Sequence, residues 1–297
     1  MKILIIGSKG FIGSHVYTHL SQCGHEMWGC DVVTDYTAER YMQIDATNAD
    51  FNSIFEQQTF DVCVNCSGAA SVPDSIQHPR RDFQLNCANV FAMLNAIRLH
   101  NPDCRFINIS SAAVYGNPAK LPIQENAPLN PMSPYGHHKK ISEQILKEFS
   151  DLYGLKTCSL RVFSAFGPGL KKQIFWDMHR KMSQSTTTVF WGTGEETRDF
   201  IHVWDIARII ELCIQKASFI GEAINVANGT QVTIRHAVEL FAELYHYDGT
   251  IAFNGEVREG DPRFWEAETS IIRSWGYQPS YSLRQGLQEY VEWVKNV

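Results

Sequence analysis

Five strand-like apolar runs alternate with helical patterns through the first half of this 297-residue chain, and that alternation restricts the fold more than any other feature. The runs are Lys2–Ile6, Glu26–Asp31, Asp61–Asn65, Arg105–Ser110 and Thr157–Phe163. Between them, apolar residues recur at helical intervals near Phe11–Gln22, Phe51–Gln57, Arg81–Leu99 and Tyr135–Tyr153. Strand and helix in alternation imply βαβ units, hence a parallel sheet with right-handed crossovers and helices on both faces. After Phe163 the pattern turns irregular and rich in Gly and Pro. Helices are expected near Val203–Gln215, Ile234–Tyr245 and Leu283–Val297. The expected fold class is therefore α/β, a Rossmann-like doubly wound parallel sheet over residues 1–165 with a smaller α/β domain over 166–297. A late strand is free to return to the first sheet.

The first strand runs into GSKGFIG, with glycines at 7, 10 and 13, and then into Phe11, Ile12, Val16 and Leu20 at helical spacing. Glycine accepts positive φ in a tight turn and lets backbone approach a ligand, while a helix N-terminus offers free N–H groups and positive dipole character. A strand–Gly turn–helix is thus a pyrophosphate site, although the spacing is GxxGxxG and not GxGxxG. Asp31 ends the second strand 24 residues after Gly7. A carboxylate there accepts hydrogen bonds from the adenosine ribose hydroxyls and repels a 2′-phosphate, which favours NAD over NADP. Lys9, inside the turn, is a cation that could pair with that phosphate and pulls the other way.

A net charge of −6 with scattered lysines and arginines gives no basic field for nucleic acid. No apolar run approaches the ~20 residues of a membrane helix, and Gly7 and Lys9 break the N-terminus too early for a signal-peptide core. The eight cysteines are dispersed, with Cys30, Cys63, Cys104 and Cys158 in or beside strand-like runs. They read as small buried hydrophobes in a reducing compartment, hence a cytoplasmic protein. Cys63 and Cys66 form a CxxC with no second pair at zinc spacing, and His137–His138 has no third ligand nearby in sequence, so no metal site is expected.

Tyr135 and Lys139 lie four residues apart in SPYGHHKK, on a helix whose start is marked by Ser133–Pro134. A free phenol with a pKa of about 10 is a poor base at neutral pH, and a neighbouring ammonium lowers that value. FINISSAAVYG, Phe106–Gly116, reads as a buried strand opening into a loop at the carboxyl edge of the sheet, where open α/β sheets bind ligands. Ser110 and Ser111 sit at that edge.

Together, the glycine turn, Asp31, SSAAVYG, the PxSPYxxxK segment Pro131–Lys139, RVFSAFGPG (Arg161–Gly169) and GTGEETRDFIHVWD (Gly192–Asp205) resemble the extended short-chain dehydrogenase/reductase family, in its nucleotide-sugar epimerase/dehydratase branch. The resemblance runs in register over nearly the whole chain. It implies that Tyr135 is the acid/base, Lys139 its partner and a ligand of the nicotinamide ribose, and Ser111 the donor to the reacting sugar oxygen. It further implies NAD against Gly7, Gly10, Phe11, Ile12 and Gly13, Asp45 near the adenine, Ala69 and Ala70 on the coenzyme wall, and Asn86 behind it. On the substrate side it implies Ser110, Ser111 and Ser164 near the sugar and Arg198 and Arg258 on the diphosphate of a nucleoside-diphosphate sugar.

There are departures. Ala112 and Ala113 stand where 4,6-dehydratases of the family carry an acidic pair, and methyl groups cannot expel water, so dehydration is set aside. Ser164 replaces a common asparagine, and His138 a small serine beside the lysine. The reading is a 4-epimerase; a reductase of a nucleotide-linked 4-keto-6-deoxy sugar uses the same residues in one direction, and a non-catalytic coenzyme-binding protein is the third reading. A homodimer is expected through the helices Arg81–Leu99 and Tyr135–Tyr153, on apolar residues Phe91, Met93, Ile97, Ile141, Ile145 and Phe149.

Overall fold

Ile3 and Ile5 pack with one set of core side chains while Leu4 and Ile6 pack with another, so the first strand is buried on both faces. That is the behaviour of a strand inside a parallel sheet covered by two helical layers. In the computed structural model, which describes residues 1–256, 260 and 262–297, this strand is β1 (Lys2–Ile6) of a seven-stranded sheet. The others are β2 (Glu26–Asp31), β3 (Tyr41–Gln43), β4 (Val62–Asn65), β5 (Arg105–Ser111), β6 (Thr157–Val162) and β7 (Ile220–Val226). Their spatial order is β7-β6-β5-β4-β1-β2-β3, and every pairing is parallel. The order reverses between β1 and β4, which opens the crevice where doubly wound sheets take ligands.

Helix α1 (Phe11–Gln22) covers the first face together with α7 (Val203–Lys216), through Val16 and Leu20 of the one and Ile206, Ile209 and Ile210 of the other. The second face is covered by α2 (Phe51–Gln57), α4 (Asn89–His100) and α5 (Pro134–Tyr153), through Phe51, Ile54, Met93, Ile97, Leu146 and Phe149. Both α7 and β7 come from beyond residue 166 yet complete this body, with β7 hydrogen-bonded to β6 as an edge strand. The rest of the later chain builds a second core from α6 (Gln173–Met182), α8 (Ile234–Tyr245) and α9 (Leu283–Val294), around Phe175, Phe241 and Tyr290.

The helix expected near Arg81–Leu99 is present and runs over Pro79–His100 as α3 (Pro79–Phe83), a π-helical turn at Gln84–Ala88, and α4. A π turn inserts one extra residue without changing the apolar composition, so a 3.6-residue pattern does not register it. The expectation for the outward apolar residues is also corrected: Met93, Ile97 and Phe149 belong to the core, whereas Phe91 remains 47% exposed, with Phe83, Leu99, Leu152 and Tyr153 exposed nearby. Arg105–Ser110 extends one residue to Ser111, and the short strand β3 and helix α6 are further elements that the sequence reading did not place.

Candidate active site

The carboxyl ends of β1, β4 and β5 meet at one cleft of about 950 Å³, whose wall includes Ile12, Ala69, Ser111, Tyr135, Lys139 and Arg198. The strand ends are pinned by buried amides. Asn65 Nδ2 donates to Asn108 Oδ1 (2.9 Å), Asn108 Nδ2 donates to Ser142 Oγ (3.3 Å), and Ser67 donates its N–H and hydroxyl to Asn65 Oδ1 at 3.1 and 2.6 Å. This ladder ties β4 and β5 to α5, the helix bearing Tyr135 and Lys139.

At the glycine turn, Gly7 has φ +81°, and a Cβ there would lie 2.7 Å from Ser67 N. A Cβ on Gly13 would lie 2.0 Å from Gly7 O, so strand and helix pack with no space for a side chain between them. Gly10 caps α1 and contributes no side-chain hydrogen bond, so the first-turn N–H groups of Phe11, Ile12 and Gly13 have no intrahelical acceptor, and Ile12 lines the cleft. Asp31 accepts from Lys9 N and Val32 N, each at 2.8 Å. The Lys9 ammonium, which in sequence competed for a 2′-phosphate, instead pairs with Asp35 and lies 5.0 Å from the Tyr41 ring centroid. Asp45 folds back on its own loop, accepting from Thr47 N, Thr47 Oγ and Asn48 N at 2.7, 2.6 and 2.9 Å; these bonds hold its carboxyl below the usual range. Asn86 lies in the π turn, donates to Ala69 O at 3.2 Å, and has its buried Oδ1 without a partner among the described residues.

Ser133 caps α5 by accepting from Gly136 N at 3.2 Å, and Pro134 occupies the first turn, where its missing N–H is harmless. Tyr135 follows, half-buried, its backbone N–H donating to Ser75 Oγ at 3.1 Å. One turn later Lys139 is only 5% exposed; its ammonium donates to Ile109 O at 2.8 Å and lies 5.9 Å from the Tyr135 ring centroid. Burial pushes the phenol up to about 12, opposed by a hydrogen bond with Ser111. Burial likewise pushes the ammonium down to about 8, opposed by the negative charge of Asp82. Each charge is disfavoured alone, whereas a phenolate beside an ammonium offsets the desolvation of both.

Ser111 also caps the 3₁₀ turn at Ala112–Val114, accepting from Ala113 N at 3.2 Å. Ser110 also lines the cleft, and its buried hydroxyl donates to Glu143 Oε1 at 2.5 Å, on the buried Glu143–Arg161 ion pair. Ser164 lines the cleft and is held through its N–H to Asp199 O at 3.0 Å. Arg198 reaches the same cleft with its guanidinium 5.6 Å from the Trp265 ring centroid. Arg258 lies outside the described residues.

Sequence reasoning missed three groups that set this geometry. The Asn65–Asn108 ladder was signalled by asparagines inside apolar strands, where they are otherwise depleted. Asp199, fully buried, accepts from Asn228, Gly229, Thr230 and Ala267 N–H groups at 3.0–3.2 Å and fastens the strand pair bearing Arg198 to neighbouring loops. Asp82 was hidden within an unremarkable polar stretch of α3.

The cleft fits a dinucleotide: a turn closed to side chains, an acidic residue ending β2, and an orphaned amide oxygen behind the wall. The family described as the NAD dependent epimerase/dehydratase family matches residues 3–227. A putative UDP-glucose 4-epimerase of Methanocaldococcus jannaschii is 27% identical over 309 residues, spanning 99% of this chain and 98% of that protein. Among solved structures, a UDP-N-acetylglucosamine 4-epimerase from Methanobrevibacter ruminantium M1, in complex with UDP-N-acetylmuramic acid, superposes with a TM-score of 0.88 at 27% identity, covering 99% of this chain and 98% of the other. MoeE5 in complex with UDP-glucuronic acid and NAD gives a TM-score of 0.88 at 25% identity, covering 100% of this chain and 99% of the other.

Proposed function

The chain belongs to the NAD dependent epimerase/dehydratase family, and from that membership we propose that it is an NAD-dependent epimerase inverting C4 of a uridine-diphosphate sugar. The observation that carries this reading is the convergence of Ser111, Tyr135, Lys139 and Arg198 on one cleft that also reaches Ile12 of the glycine turn.

When bound, NAD supplies the acceptor and returning donor of the C4 hydride. Gly7, Gly10 and Gly13 leave backbone N–H groups for its diphosphate, and Asp31 accepts from the adenosine ribose. Asp45, Ala69, Ala70 and Asn86 form the remainder of its wall. Tyr135 Oη takes the proton from the sugar 4-hydroxyl, and the adjacent Lys139 ammonium stabilises the phenolate and holds the nicotinamide ribose. Ser111 Oγ hydrogen-bonds the same sugar oxygen, which fixes it during oxidation and returns it to register for reduction. After the sugar turns over and presents the other face of C4, Tyr135 returns the proton to the 4-oxygen. Arg198, with Arg258 from the undescribed stretch, holds the diphosphate that anchors this rotation. Ser164 and Ser110, which both line the cleft, stand beside the sugar, the Ser110 hydroxyl being held by Glu143. Ala112 and Ala113 offer no acid for dehydration.

The relatives' UDP-sugars support uridine as the base. The pairing of Lys9 with Asp35 supports NAD, since the cation that would favour NADPH is engaged elsewhere. We further read residues 1–165 plus Val203–Val226 as the coenzyme body and the remaining C-terminal residues as the nucleotide-sugar body. The enzyme is proposed to be a cytoplasmic homodimer. Eight free thiols support a reducing compartment, and no helix among the described residues is long and apolar enough to cross a membrane.

Acid denaturation of the purified protein should release close to one NAD per chain, and UDP-glucose, UDP-N-acetylglucosamine or UDP-glucuronate should interconvert with its C4 epimer without added coenzyme. If none epimerises with NAD⁺ supplied, while a nucleotide-linked 4-keto-6-deoxy sugar consumes NAD(P)H mole for mole, a reductase replaces the epimerase.

A further inference from the structure

The C-terminal end of α1 carries a cluster of donor atoms that the reaction does not use. His19 and Cys23 stand four residues apart on one face of the helix, and the Cys23 N–H closes the last turn by donating to His19 O at 3.1 Å. Opposite them Glu211, on α7, brings Oε2 to 2.8 Å from His19 Nε2, while Cys23 Sγ lies 3.8 Å from the same nitrogen. The nitrogen, the sulfur and the carboxylate oxygen all fall within 4.8 Å of one another. Gln215, one turn further along α7, donates from Nε2 to the other Glu211 oxygen at 3.4 Å and so orients the carboxylate. The side chains of His19 and Glu211 are partly exposed and Cys23 is exposed, so the cluster opens to solvent.

A surface imidazole–carboxylate pair is ordinary, and a thiol is a weak hydrogen-bonding group that adds little to it. As metal ligands, the same three atoms match. A tetrahedral zinc centre with bonds of about 2.0–2.3 Å sets its ligand atoms roughly 3.4–3.6 Å apart. The 2.8 Å N–O and 3.8 Å N–S separations bracket that range, so side-chain rotation alone, on the order of an ångström, admits an ion. We propose that His19, Cys23 and Glu211 bind one zinc ion that clasps α1 to α7. The site stands apart from the catalytic cleft and does not depend on the reaction assigned there: at about 1.5 Å per residue, His19 lies about 12 Å along α1 from Phe11.

Neutral His19 would ligate through Nε2, Glu211 through Oε2 and Cys23 as the thiolate. Before the ion binds, Cys23 is a protonated thiol, pushed up from its ordinary value by burial and then by the Glu211 charge. As the zinc–sulfur bond forms, that proton passes to solvent. Thiolate and carboxylate then balance the two positive charges, and water completes the fourth position. Mixed nitrogen, sulfur and oxygen donors suit zinc and exclude magnesium and calcium, which take oxygen ligands. The contact that the ion would lock is otherwise apolar, through Val16 and Leu20 of α1 and Ile206, Ile209 and Ile210 of α7. Because Glu211 is 192 residues from His19, spacing along the chain gives no sign of the cluster.

The test uses the purified, chelator-treated and reduced protein. Zinc titrated in competition with a chromophoric chelator should load one ion per chain, undisturbed by millimolar magnesium. Cys23→Ser, His19→Gln and Glu211→Gln should each weaken that binding by at least about 10²-fold, beyond the 10–100-fold typical of an outer-shell partner. His236→Ala, which removes an exposed histidine on α8, should leave it unchanged. Cobalt(II) in place of zinc should show a thiolate-to-metal charge-transfer band, and Cys23→Ser should abolish it; Cys23 is the exposed thiol among eight, six of the others being buried and Cys66 partly so. Zinc at 100 times its Kd should raise Tm by up to about 4 °C in wild type and not in the three ligand variants. All of these sites are at the surface, so the variants are expected to fold, and their Tm without metal checks it. A cobalt spectrum with no sulfur band, or zinc binding that none of the three substitutions weakens, would overturn the proposal.

Discussion

Gly13→Ala gives the most stringent check of the coenzyme turn, because its outcome follows from a single distance. The new methyl would sit 2.0 Å from Gly7 O and 2.8 Å from Gly7 C, and reaching an ordinary 3.4 Å requires a displacement of about 1.4 Å. The strand side cannot yield. Gly7 N donates to Cys30 O at 2.7 Å, and Gly7 itself abuts the Ser67 backbone. Helix α1 must therefore move outward, against the packing of Val16 and Leu20 in the core. Two consequences are expected. Overpacking costs about 1–3 kcal/mol, a fall in Tm of roughly 2–8 °C for a chain of this size. Hydrogen bonds from the first turn of α1 to a diphosphate, near 2.9 Å at best, would stretch beyond about 3.5 Å and be lost. Losing two such charge-assisted bonds, at about 1.5–3 kcal/mol each, weakens NAD binding by roughly 10²–10⁴-fold. Gly10→Ala is the control for stability, since its methyl would lie 3.2 Å from the same oxygen and φ is already −76°. It should keep Tm within about 2 °C, an effect below about 1 kcal/mol. The assay is NAD released per chain on acid denaturation, with Tm measured after the coenzyme is stripped. A Gly13→Ala protein that kept wild-type Tm and full NAD content would refute the reasoning.

Tyr135→Phe should leave NAD content and UDP-sugar affinity nearly unchanged while kcat falls by about 10²–10⁴-fold, the range for a positioned acid/base; retention of most turnover would remove Tyr135 from the chemistry. His202 is fully buried, neither ring nitrogen has a hydrogen-bond partner among the described residues, and burial pushes it down to about 4. The unfolded chain binds this proton from about pH 6.5 and the folded chain does not until about pH 4, so stability should fall as pH drops through that interval, by up to about 3 kcal/mol, and be unaffected above it. Thermal melts of His202→Phe against wild type from pH 4 to 8 should show that segment of the slope removed; an unchanged slope assigns acid sensitivity elsewhere. The exposed Phe83, Phe91, Leu99, Leu152 and Tyr153 on α3, α4 and α5 should be covered in a homodimer, so light scattering at micromolar concentration should give twice the chain mass. Scattering of a monomer alone would contradict it.

The parallel sheet was readable because its central strands are apolar on both faces: Lys2–Ile6 and Val62–Asn65 appear as uninterrupted runs whose alternate residues feed two helical layers. The glycine turn and the Tyr135–Lys139 pair were readable because their constraints are local, one a matter of backbone conformation and the other of helical spacing. What escaped was set by groups distant in sequence. Both Ser110 and Ser111 line the cleft, but which hydroxyl is free for Tyr135 depends on Glu143, since a buried acid captures the first and leaves the second. Lys9 read as a possible phosphate ligand until Asp35, 26 residues away, was seen to hold it. The division at residue 166 followed a change in composition, yet β7 and α7 are as apolar as the early elements and their place in the first body comes from edge pairing with β6 and contact with α1.

Asp82 marks the limit of such reading. Nothing in PRRDFQLN distinguishes an acidic residue at the start of a helix from an ordinary first-turn carboxylate, which helix dipoles favour anyway. Its meaning depends on His138, 56 residues on, and on the π turn that separates α3 from α4. A π turn is absent from any apolar periodicity, yet here it stands between α3, which carries Asp82, and α4, and holds Asn86 where it donates to Ala69 O. The one sign available in sequence was negative: a bulky, titratable histidine in a position where relatives carry a small serine. A substitution of that kind beside a buried lysine has to be accommodated by a partner, and here the partner is the Asp82 carboxylate, 2.5 Å from His138 Nδ1.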